Sequence, residues 1–387
     1  MFKQKINQKD IEYFDYILKN SSLKNQYLNI DFNDNFIKYY IVSIFIELGK
    51  IYKNLIIEEK GGRLAKIDFI ELGVINFEKN DYSQLDMNKQ VEALSLLNIL
   101  GELDKNIFKK TPLFKDATAS GIQILSLILG LKNFSDMRWV NLTEEGVWYD
   151  TYYFIIKTFK EKHPAETDLE KFFNRKNLKK TIMTYNYNAT YLRCWKNFKK
   201  EAEINYLANE EFSKKIEDYF KQFYLFLDSF FLKNNFYKES PHIITMYFSN
   251  LFLEENSNFY KTEDEFFIAL KYFLLNKKIR FDKIVGGERI TIELSELGDG
   301  LNTKKTKRAL QANITHAFDA FIIRYIINKL DCPLITIHDS MGVDILQTKN
   351  FEEAAREAFA HLYKLNVFSL NDRLEDTTFI KSNWIFL

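Results

Sequence analysis

Apolar residues follow two patterns along the chain, a helical spacing over long segments and short runs that suit strands. Helical spacing extends from Phe36 to Ile57, from Lys196 to Leu232 and from Glu263 to Asn276. Between Gly286 and Gly300, apolar and polar residues alternate before a glycine-rich turn, which predicts a strand. The patterning therefore predicts a mostly helical chain that contains a few short strands.

A second strand signal surrounds Asp339. Two short apolar runs in the segment from Pro333 to Ile345 flank His338 and Asp339, so we predict a strand, a tight turn and a second strand. An unpaired carboxylate beside an apolar core is costly. We therefore expect a cation next to Asp339.

Asp116 lies in a comparable place far upstream. The run from Thr111 to Lys115 predicts a short strand, and the apolar stretch from Ile122 to Leu131 predicts a buried helix after it. By itself, an aspartate followed by serine and glycine is typical of a helix cap or a turn. A second acid at a strand end, Asp339, favours a metal-binding role instead.

A basic segment separates the two acids, and four of its residues recur at every fourth position. These are Arg175, Lys179, Met183 and Tyr187, which share one stripe if the segment is helical. A solvated basic face is the alternative interpretation. Residues 157–200 carry twelve Lys and Arg against four Asp and Glu, although the whole chain has a net charge of only +1. The sequence thus predicts a basic channel in a nearly neutral protein.

Composition limits the classes of protein to which this chain can belong. The two cysteines, Cys194 and Cys332, are too few for a disulfide framework or a zinc site, so we expect reduced packing residues. No uncharged apolar stretch approaches the roughly eighteen residues of a membrane span, and the first residues lack a signal-peptide core. We predict a soluble, intracellular protein. Its richness in Lys, Asn, Ile, Phe and Tyr indicates an AT-rich genome, such as that of an organelle, plasmid or virus.

Three motifs carry a family resemblance. They are Asp116-x-x-x-Ser120-Gly121-x-Gln123, then Arg175-x-x-x-Lys179 followed eight residues later by Tyr187, and finally His338-Asp339-Ser340-x-Gly342. In this order they resemble the single-subunit DNA-dependent RNA polymerases of some bacteriophages, mitochondria and linear plasmids. The resemblance covers Glu59 to Leu387. It implies an α+β, right-hand polymerase fold with an antiparallel-sheet palm and largely helical fingers.

The resemblance also implies a division of the chain. Residues 1–57 would form a helical N-terminal extension, which is a possible thumb remnant, and residues 58–130 the first part of the palm. Residues 131–311 would form the fingers, with a short hairpin of the promoter-specificity type, and residues 312–387 the second part of the palm and a C-terminal foot. Full members carry a large N-terminal portion, so either this polymerase initiates differently or a separate chain supplies promoter recognition.

The family's chemistry assigns roles to the motif residues. Asp116, Asp339 and the backbone carbonyl of Ala117 would bind two Mg²⁺ ions. Lys179 and Arg175 would contact the triphosphate of the nucleotide. The resemblance therefore implies nucleotidyl transfer, in which Asp116, Asp339, Lys179 and Tyr187 are the catalytic residues.

Further residues are assigned to the sugar and the template. Tyr187 would close the site over the nascent base pair and, with His316 of the segment Asn313-x-x-His316-x-x-Asp319, would select ribose. The family's glycine after this tyrosine is replaced by Asn188, which tolerates a positive φ. Contacts with the template or hybrid are implied for four residues, which are Arg63, Ser120, Gln123 and His338.

The predicted reaction is the addition of ribonucleotides to an RNA 3′ end on a DNA template. The partners are then the DNA template, nascent RNA and ribonucleoside triphosphates. A promoter-independent primase or RNA-extending polymerase is one alternative. A non-catalytic nucleic-acid-binding remnant of the fold is another. A related DNA polymerase is disfavoured, because that group has Glu where Ser340 stands.

Overall fold

The computed structural model describes residues 8–20, 35–79, 82–83, 85–103, 112–130, 134–143, 146–204, 210–233, 244, 259–261, 267–269, 272–285, 288–344, 347–365 and 380. Most of these residues are helical. The α-helices are α1 (Gln8–Asn20), α2 (Asn35–Tyr52), α3 (Lys66–Lys79), α4 (Met87–Leu103), α5 (Ser120–Leu129), α6 (Thr151–Lys162), α7 (Thr167–Glu170), α8 (Arg175–Asn186), α9 (Tyr191–Glu201), α10 (Glu210–Asp228), α11 (Thr303–Lys329) and α12 (Thr348–Lys364). Shorter helical turns cover Lys53–Leu55, Phe134–Val140 and Ser229–Lys233.

Every sheet in the described residues is antiparallel. The strands are β1 (Arg63–Ala65), β2 (Pro112–Asp116), β3 (Val147–Tyr149), β4 (Phe259–Lys261), β5 (Phe267–Ala269), β6 (Phe273–Val285), β7 (Glu288–Leu301), β8 (Ile335–Ile337) and β9 (Ser340–Asp344). Strands β2, β9 and β8 form a three-stranded sheet in that order, while β1–β3, β4–β5 and β6–β7 pair two by two. The predicted α+β class is therefore confirmed.

The chain divides into two compact units. The first comprises Met1–Lys238 and Phe318–Leu387, and the second is Glu239–Ala317. The first unit contains the three-stranded sheet, and the second contains β4 to β7. Two segments of the first unit that are distant in sequence, one containing β2 and one containing β8 and β9, thus share one sheet.

The strand, turn and strand predicted around Asp339 are present as β8 and β9. Leu113 and Lys115 of β2 are buried, whereas Asp116 is exposed at the end of the strand. Asp116 pairs with Ser340 of β9, so the turn that carries Asp339 lies beside the end of β2. This pairing brings the two predicted metal ligands to one end of the sheet.

The first unit has a large apolar core. Helices α1 to α4 supply most of its buried residues, such as Phe14, Phe45 and Phe69, and Leu113 of β2 and Trp148 of β3 join them. A second packed region is aromatic and surrounds α6, α8, α9 and α10. There the rings of Phe198 and Phe220 stack with centroids 4.8 Å apart. The two regions fix helices on which the site depends.

Charged residues are also buried in the interior, where they pair with one another. Lys115 of β2 is only 1% exposed, and its Nζ lies 2.5 Å from Glu47 Oε1 of α2. Lys50 Nζ lies 2.8 Å from the same oxygen. Burial raises the pKa of Glu47, but the charges of Lys115 and Lys50 outweigh burial and hold the pKa at about 2. The first unit therefore joins α2 to the strand of Asp116 through a buried ion-pair network.

Two sequence expectations are wrong in the second unit. The segment from Glu263 to Asn276 was expected to be helical, but its described residues form β5 and the start of β6. Short aromatic-rich runs are compatible with a helix or a strand. Here β5 pairs with β4 and β6 pairs with β7, so the segment is extended. The glycine-rich turn expected up to Gly300 is instead part of β7, whose 14 residues pair with the 13 residues of β6.

Two further expectations concern the chain ends and the membrane. Apart from Ile380, the apolar terminus from Phe379 to Leu387 lies outside the described residues. Among the described helices, none combines the length and the apolar character that crossing a bilayer requires.

Candidate active site

A cavity of about 140 Å³ lies where β2, α5, α8 and the turn between β8 and β9 meet. Asp116 and Asp339 line it from adjacent strand ends, and the amide N of Ala117 donates a hydrogen bond to the Asp339 carbonyl O at 3.2 Å. Lys179 and Tyr187 line the same cavity from α8 and its C-terminal end. Four segments of the first unit thus converge on one small space.

The loop after Asp116 is braced from the interior by Gln123. This side chain is fully buried, and its Nε2 donates to the Val140 carbonyl O at 2.9 Å and to Thr118 Oγ1 at 3.0 Å. Asn141 Nδ2 also donates to Thr118 Oγ1, at 3.2 Å. The expected contact of Gln123 with template or hybrid is therefore wrong. Its amide instead fixes the residues that follow Asp116.

Helix α8 presents the predicted basic stripe. Asn174 caps the helix by accepting a hydrogen bond from the Asn177 amide at 3.0 Å. Arg175 is held by an ion pair between its Nε and the buried carboxylate of Asp150. The Lys179 ammonium lies 5.6 Å from the ring centroid of the buried Tyr152. The cations at the start of α8 are thus fixed by Asp150, which caps α6, and by Tyr152 of α6.

Tyr187 follows directly after α8, and its ring packs against Gly121 at the start of α5. Its hydroxyl is hydrogen-bonded to the Ser120 side chain, and burial raises its pKa to about 12. A Cβ on Gly121 would lie 2.5 Å from this hydroxyl, so only glycine leaves room for the tyrosine. Asn188 has a φ of 63°, as expected from its tolerance of the left-handed region.

Three acids, Asp116, Asp339 and Asp319, interact electrostatically at the site. Burial and the nearby Asp339 raise the pKa of Asp116, although its side chain remains open to solvent in the cleft. Burial, Asp339 and Asp116 raise the pKa of Asp319 on α11 to about 7. Burial and Arg175 lower the pKa of Lys179, whereas Asp116 opposes that change. The site is therefore rich in mutually repelling carboxylates that a cation would stabilise.

Three of the predicted residues of the first unit, His338, Arg63 and Arg175, do not line this cavity. His338 is exposed in the turn before Asp339, with a φ of 53°. The Arg63 guanidinium lies 5.7 Å from the Tyr149 ring centroid, between β1 and β3. Arg175 lines a neighbouring cavity rather than this one. His316 belongs to the second unit, so its action on Tyr187 stays a prediction.

Sequence reasoning missed three site residues. Asp150 holds Arg175, and Tyr152 lies beneath both Arg175 and Lys179, but neither belongs to a motif. The resemblance included Asp319 but gave it no role, although the charges of Asp339 and Asp116 raise its pKa. The sequence did contain a signal for Asp150, because this residue lies directly after an apolar strand and before a helix, as Asp116 does.

The donor set suits magnesium. Mg²⁺ is bound through one or two carboxylates and substrate phosphates rather than by a complete protein cage. Asp116, Asp339 and the backbone of Ala117 offer hard oxygen atoms in one cavity. In the part of the chain that the structure describes, no group of three or more His, Cys, Asp or Glu residues forms a complete metal site. The arrangement fits a metal that keeps ligands from substrate and water.

Paired acids faced by a cationic helix are the arrangement of enzymes that transfer phosphoryl or nucleotidyl groups with divalent metals. The family model for DNA-dependent RNA polymerase matches residues 95–379, and the chain belongs to this family. A probable DNA-directed RNA polymerase of Gelasinospora sp. (strain G114) is 25% identical over 290 residues, which are 66% of this chain and 34% of that protein. The chain therefore spans about a third of the length of this curated relative.

Proposed function

We propose that the chain is the catalytic part of an RNA polymerase that adds ribonucleotides to an RNA 3′ end on a DNA template. The observation that carries the proposal is the meeting of Asp116 and Asp339 with Lys179 and Tyr187 around one cavity. In this proposal, the three-stranded sheet is the palm, and the helices from α6 to α10 belong to the fingers. The DNA template, nascent RNA and ribonucleoside triphosphates are the proposed partners.

Asp116, Asp339 and the Ala117 carbonyl would hold two Mg²⁺ ions. Bound there, the ions would activate the attacking 3′ hydroxyl and neutralise charge on the leaving pyrophosphate. Lys179 and Arg175 would orient the triphosphate, because both are fixed before substrate arrives. Tyr187, held by Ser120, would pack against the nascent base pair, and His316 would assist in the choice of ribose.

The test is nucleotide incorporation on a primed RNA–DNA hybrid with Mg²⁺, offering ribonucleotides and deoxyribonucleotides in separate reactions. We expect ribonucleotide addition by the wild type. Asp339→Asn should abolish addition while the unfolding temperature and hybrid binding stay nearly unchanged. Asp331→Asn, on an exposed aspartate outside the cavity, is the matched control and should remain active. Equal extension rates for Asp339→Asn and wild type would refute the assignment.

The same assay separates the proposal from its alternatives. Synthesis on an unprimed single-stranded template would identify a primase, and activity only on a primed hybrid would identify an RNA-extending polymerase. Hybrid binding without any incorporation would identify a non-catalytic remnant. A duplex promoter added to the unprimed reaction shows whether a separate chain must supply promoter recognition.

A further inference from the structure

The hairpin of β6 and β7 in the second unit has two faces of different character. Residues that pair directly across an antiparallel ladder point to the same side, and successive residues of a strand alternate between sides. Ile279 pairs with Leu294, and Phe281 pairs with Ile292. One side, here called the apolar face, therefore carries five large apolar residues, which are Ile279, Phe281, Ile290, Ile292 and Leu294.

The opposite face is polar, and its charges pair with one another. Arg289 Nη2 lies 2.7 Å from Asp282 Oδ2, and Arg280 Nε lies 3.3 Å from Asp282 Oδ1. Thr291 Oγ1 donates a hydrogen bond to Asp282 Oδ1 at 2.5 Å. Ile284 also belongs to this face, because it pairs with Arg289. The polar face therefore neutralises its own charges, and we expect a binding partner on the apolar face.

The apolar face is open to solvent. Each of its five side chains is 42–55% exposed. A large apolar side chain has about 200 Å² of surface, so together they expose roughly 500 Å². Apolar patches of this size on soluble proteins commonly mark interaction sites. The apolar face is therefore a candidate binding surface.

The charge of the hairpin argues against nucleic acid as the partner. Strands β6 and β7 together carry five basic and five acidic residues, so their net charge is zero. Proteins bind DNA or RNA largely through Lys and Arg that neutralise phosphates. An anionic lipid surface also requires an excess of cations. An uncharged apolar surface on a neutral hairpin instead favours another protein surface of the same character.

A second copy of this chain supplies such a surface. The charged residues on the side of the apolar face lie at its ends, Lys283 near the turn and Glu296 at the far end, and both are exposed. An apolar centre with a charged rim is the usual composition of a protein interface. If two copies cover each other's apolar faces, they bury roughly 1,000 Å², which is the lower limit for a specific interface. The rim residues add to this area.

We propose that the apolar face is a dimer interface, in which the β6–β7 hairpins of two copies of this chain pack face to face about a two-fold axis. Phe281 and Ile292 lie at the centre of the interface and pack against the same residues of the second copy. Lys283 and Glu296 lie at its rim. The proposal concerns the second unit and goes beyond the proposed function, because association of two copies requires no catalysis.

The test is the mass of the full chain in sedimentation equilibrium over a range of protein concentrations, without nucleic acid. One chain has a mass of 46.1 kDa, and we expect the wild type to approach twice this mass as its concentration rises. Phe281→Lys and Ile292→Lys should each weaken dimerisation by about tenfold or more. Ile284→Lys is the matched control, since Ile284 is 72% exposed on the polar face of the same hairpin. It should change dimerisation by less than about twofold.

Thermal unfolding followed by circular dichroism shows whether each variant is folded. If the lysine variants do not fold, Phe281→Ser and Ile284→Ser replace them with the same expected contrast. A wild type that stays at the mass of one chain throughout the micromolar range would overturn the proposal. Equal weakening by the Phe281 and Ile284 variants would also overturn it, because the interface would not depend on the apolar face. A monomeric wild type whose binding to a primed hybrid is lost in Phe281→Ser would identify nucleic acid as the partner instead.

Discussion

At the scale of single residues, the site depends on how closely backbone and ring approach each other at Tyr187. Gly121 gives the tyrosine hydroxyl its place, Ser120 binds it, and Asn188 provides the left-handed turn that ends α8. None of these three residues carries charge. Through steric fit, they instead determine the position of the Tyr187 ring relative to Asp116.

Gly121→Ala should displace Tyr187. The added Cβ would lie 2.5 Å from the hydroxyl and 2.9 Å from two ring carbons, so the ring must move. Overpacking of this kind costs about 1–3 kcal/mol in the free energy of unfolding. Discrimination between ribonucleotides and deoxyribonucleotides should fall with it, as measured by competitive incorporation. Tyr187→Phe combined with Gly121→Ala should be less harmful than the sum of both changes, and strict additivity would contradict the contact.

Asp319→Asn should stabilise the metal-free protein at pH 8. The folded-state pKa of Asp319 is about 7, above the ordinary value of 3.8, so the fold disfavours its charged form. That penalty is complete above pH 7 and fades as the pH falls towards 4. We expect a gain of about 1–3 kcal/mol at pH 8 in urea unfolding with EDTA, and a smaller gain at pH 5. Asp331→Asn should show no such trend, and a gain that grows as the pH falls would contradict the sign.

At the scale of elements, strand β2 links the candidate active site to the interior. Its residues alternate, so Lys115 points into the first unit and binds Glu47 of α2 while Asp116 faces the cleft. A buried ion pair is no more stable than a well-packed apolar pair, but breaking one partner is costly. Helix α2 is thereby tied to the strand that carries a proposed metal ligand.

Glu47→Gln should lower the free energy of unfolding by about 3–5 kcal/mol at pH 7, because two buried lysines lose their shared acid. The folded-state pKa of Glu47 is about 2, below its ordinary value of 4.5. Its stabilising effect is therefore complete above pH 4.5 and is lost as the pH falls towards 2. Urea unfolding at pH 7 and pH 3 should show the difference between wild type and variant shrinking at the lower pH.

Glu161→Gln is the control for this change, since Glu161 Oε1 lies 4.0 Å from Lys157 Nζ in an exposed pair of α6. It should alter stability by less than about 0.5 kcal/mol at either pH. A similar loss in the free energy of unfolding in both variants would show that the buried ion pairs contribute no more to stability than the exposed pair does.

The elements around the site were largely predictable from the sequence. Periodicity and motifs identified β2, α5, α8 and the turn at Asp339, because each has a strong local signal. The strand at 267–269 was mistaken for helix, because the periodicity of a short apolar run does not distinguish a strand from a helix; its pairing with β4 decides the structure. The buried amide of Gln123 and the pair of Asp150 with Arg175 depend on tertiary contacts, which spacing does not encode.

At the scale of the whole molecule, the chain before the family match is part of the core of the first unit. The match begins at residue 95, yet most residues of the large apolar core lie before it, on α1, α2 and α3. The core also includes Leu113 of β2 and Trp148 of β3. The region that carries the motifs therefore packs against residues that the family model does not cover.

A chain of residues 95–387 alone should fail to fold. Each large apolar side chain that loses its burial costs about 1.5–3 kcal/mol, and a domain has only about 5–15 kcal/mol in total. The core residues that remain after truncation lose the partners that bury them, and they are Leu96, Ile99, Leu100, Leu113 and Trp148. We expect the truncated chain to be insoluble or to lack a cooperative transition in thermal unfolding followed by circular dichroism. A sharp transition close to that of the full chain would contradict this view of the core.

The alternation in β2 has a consequence for the sequence changes that this strand can accept. Inserting or deleting one residue before Asp116 would exchange the two faces, turning a lysine towards the cleft and an aspartate into the interior. Point substitutions at Leu113 or Phe114 alter only packing, whereas a single-codon insertion would invert the electrostatics of the site. Among naturally varying copies of this gene, length should therefore be invariant between residues 112 and 116 even where the residues themselves drift.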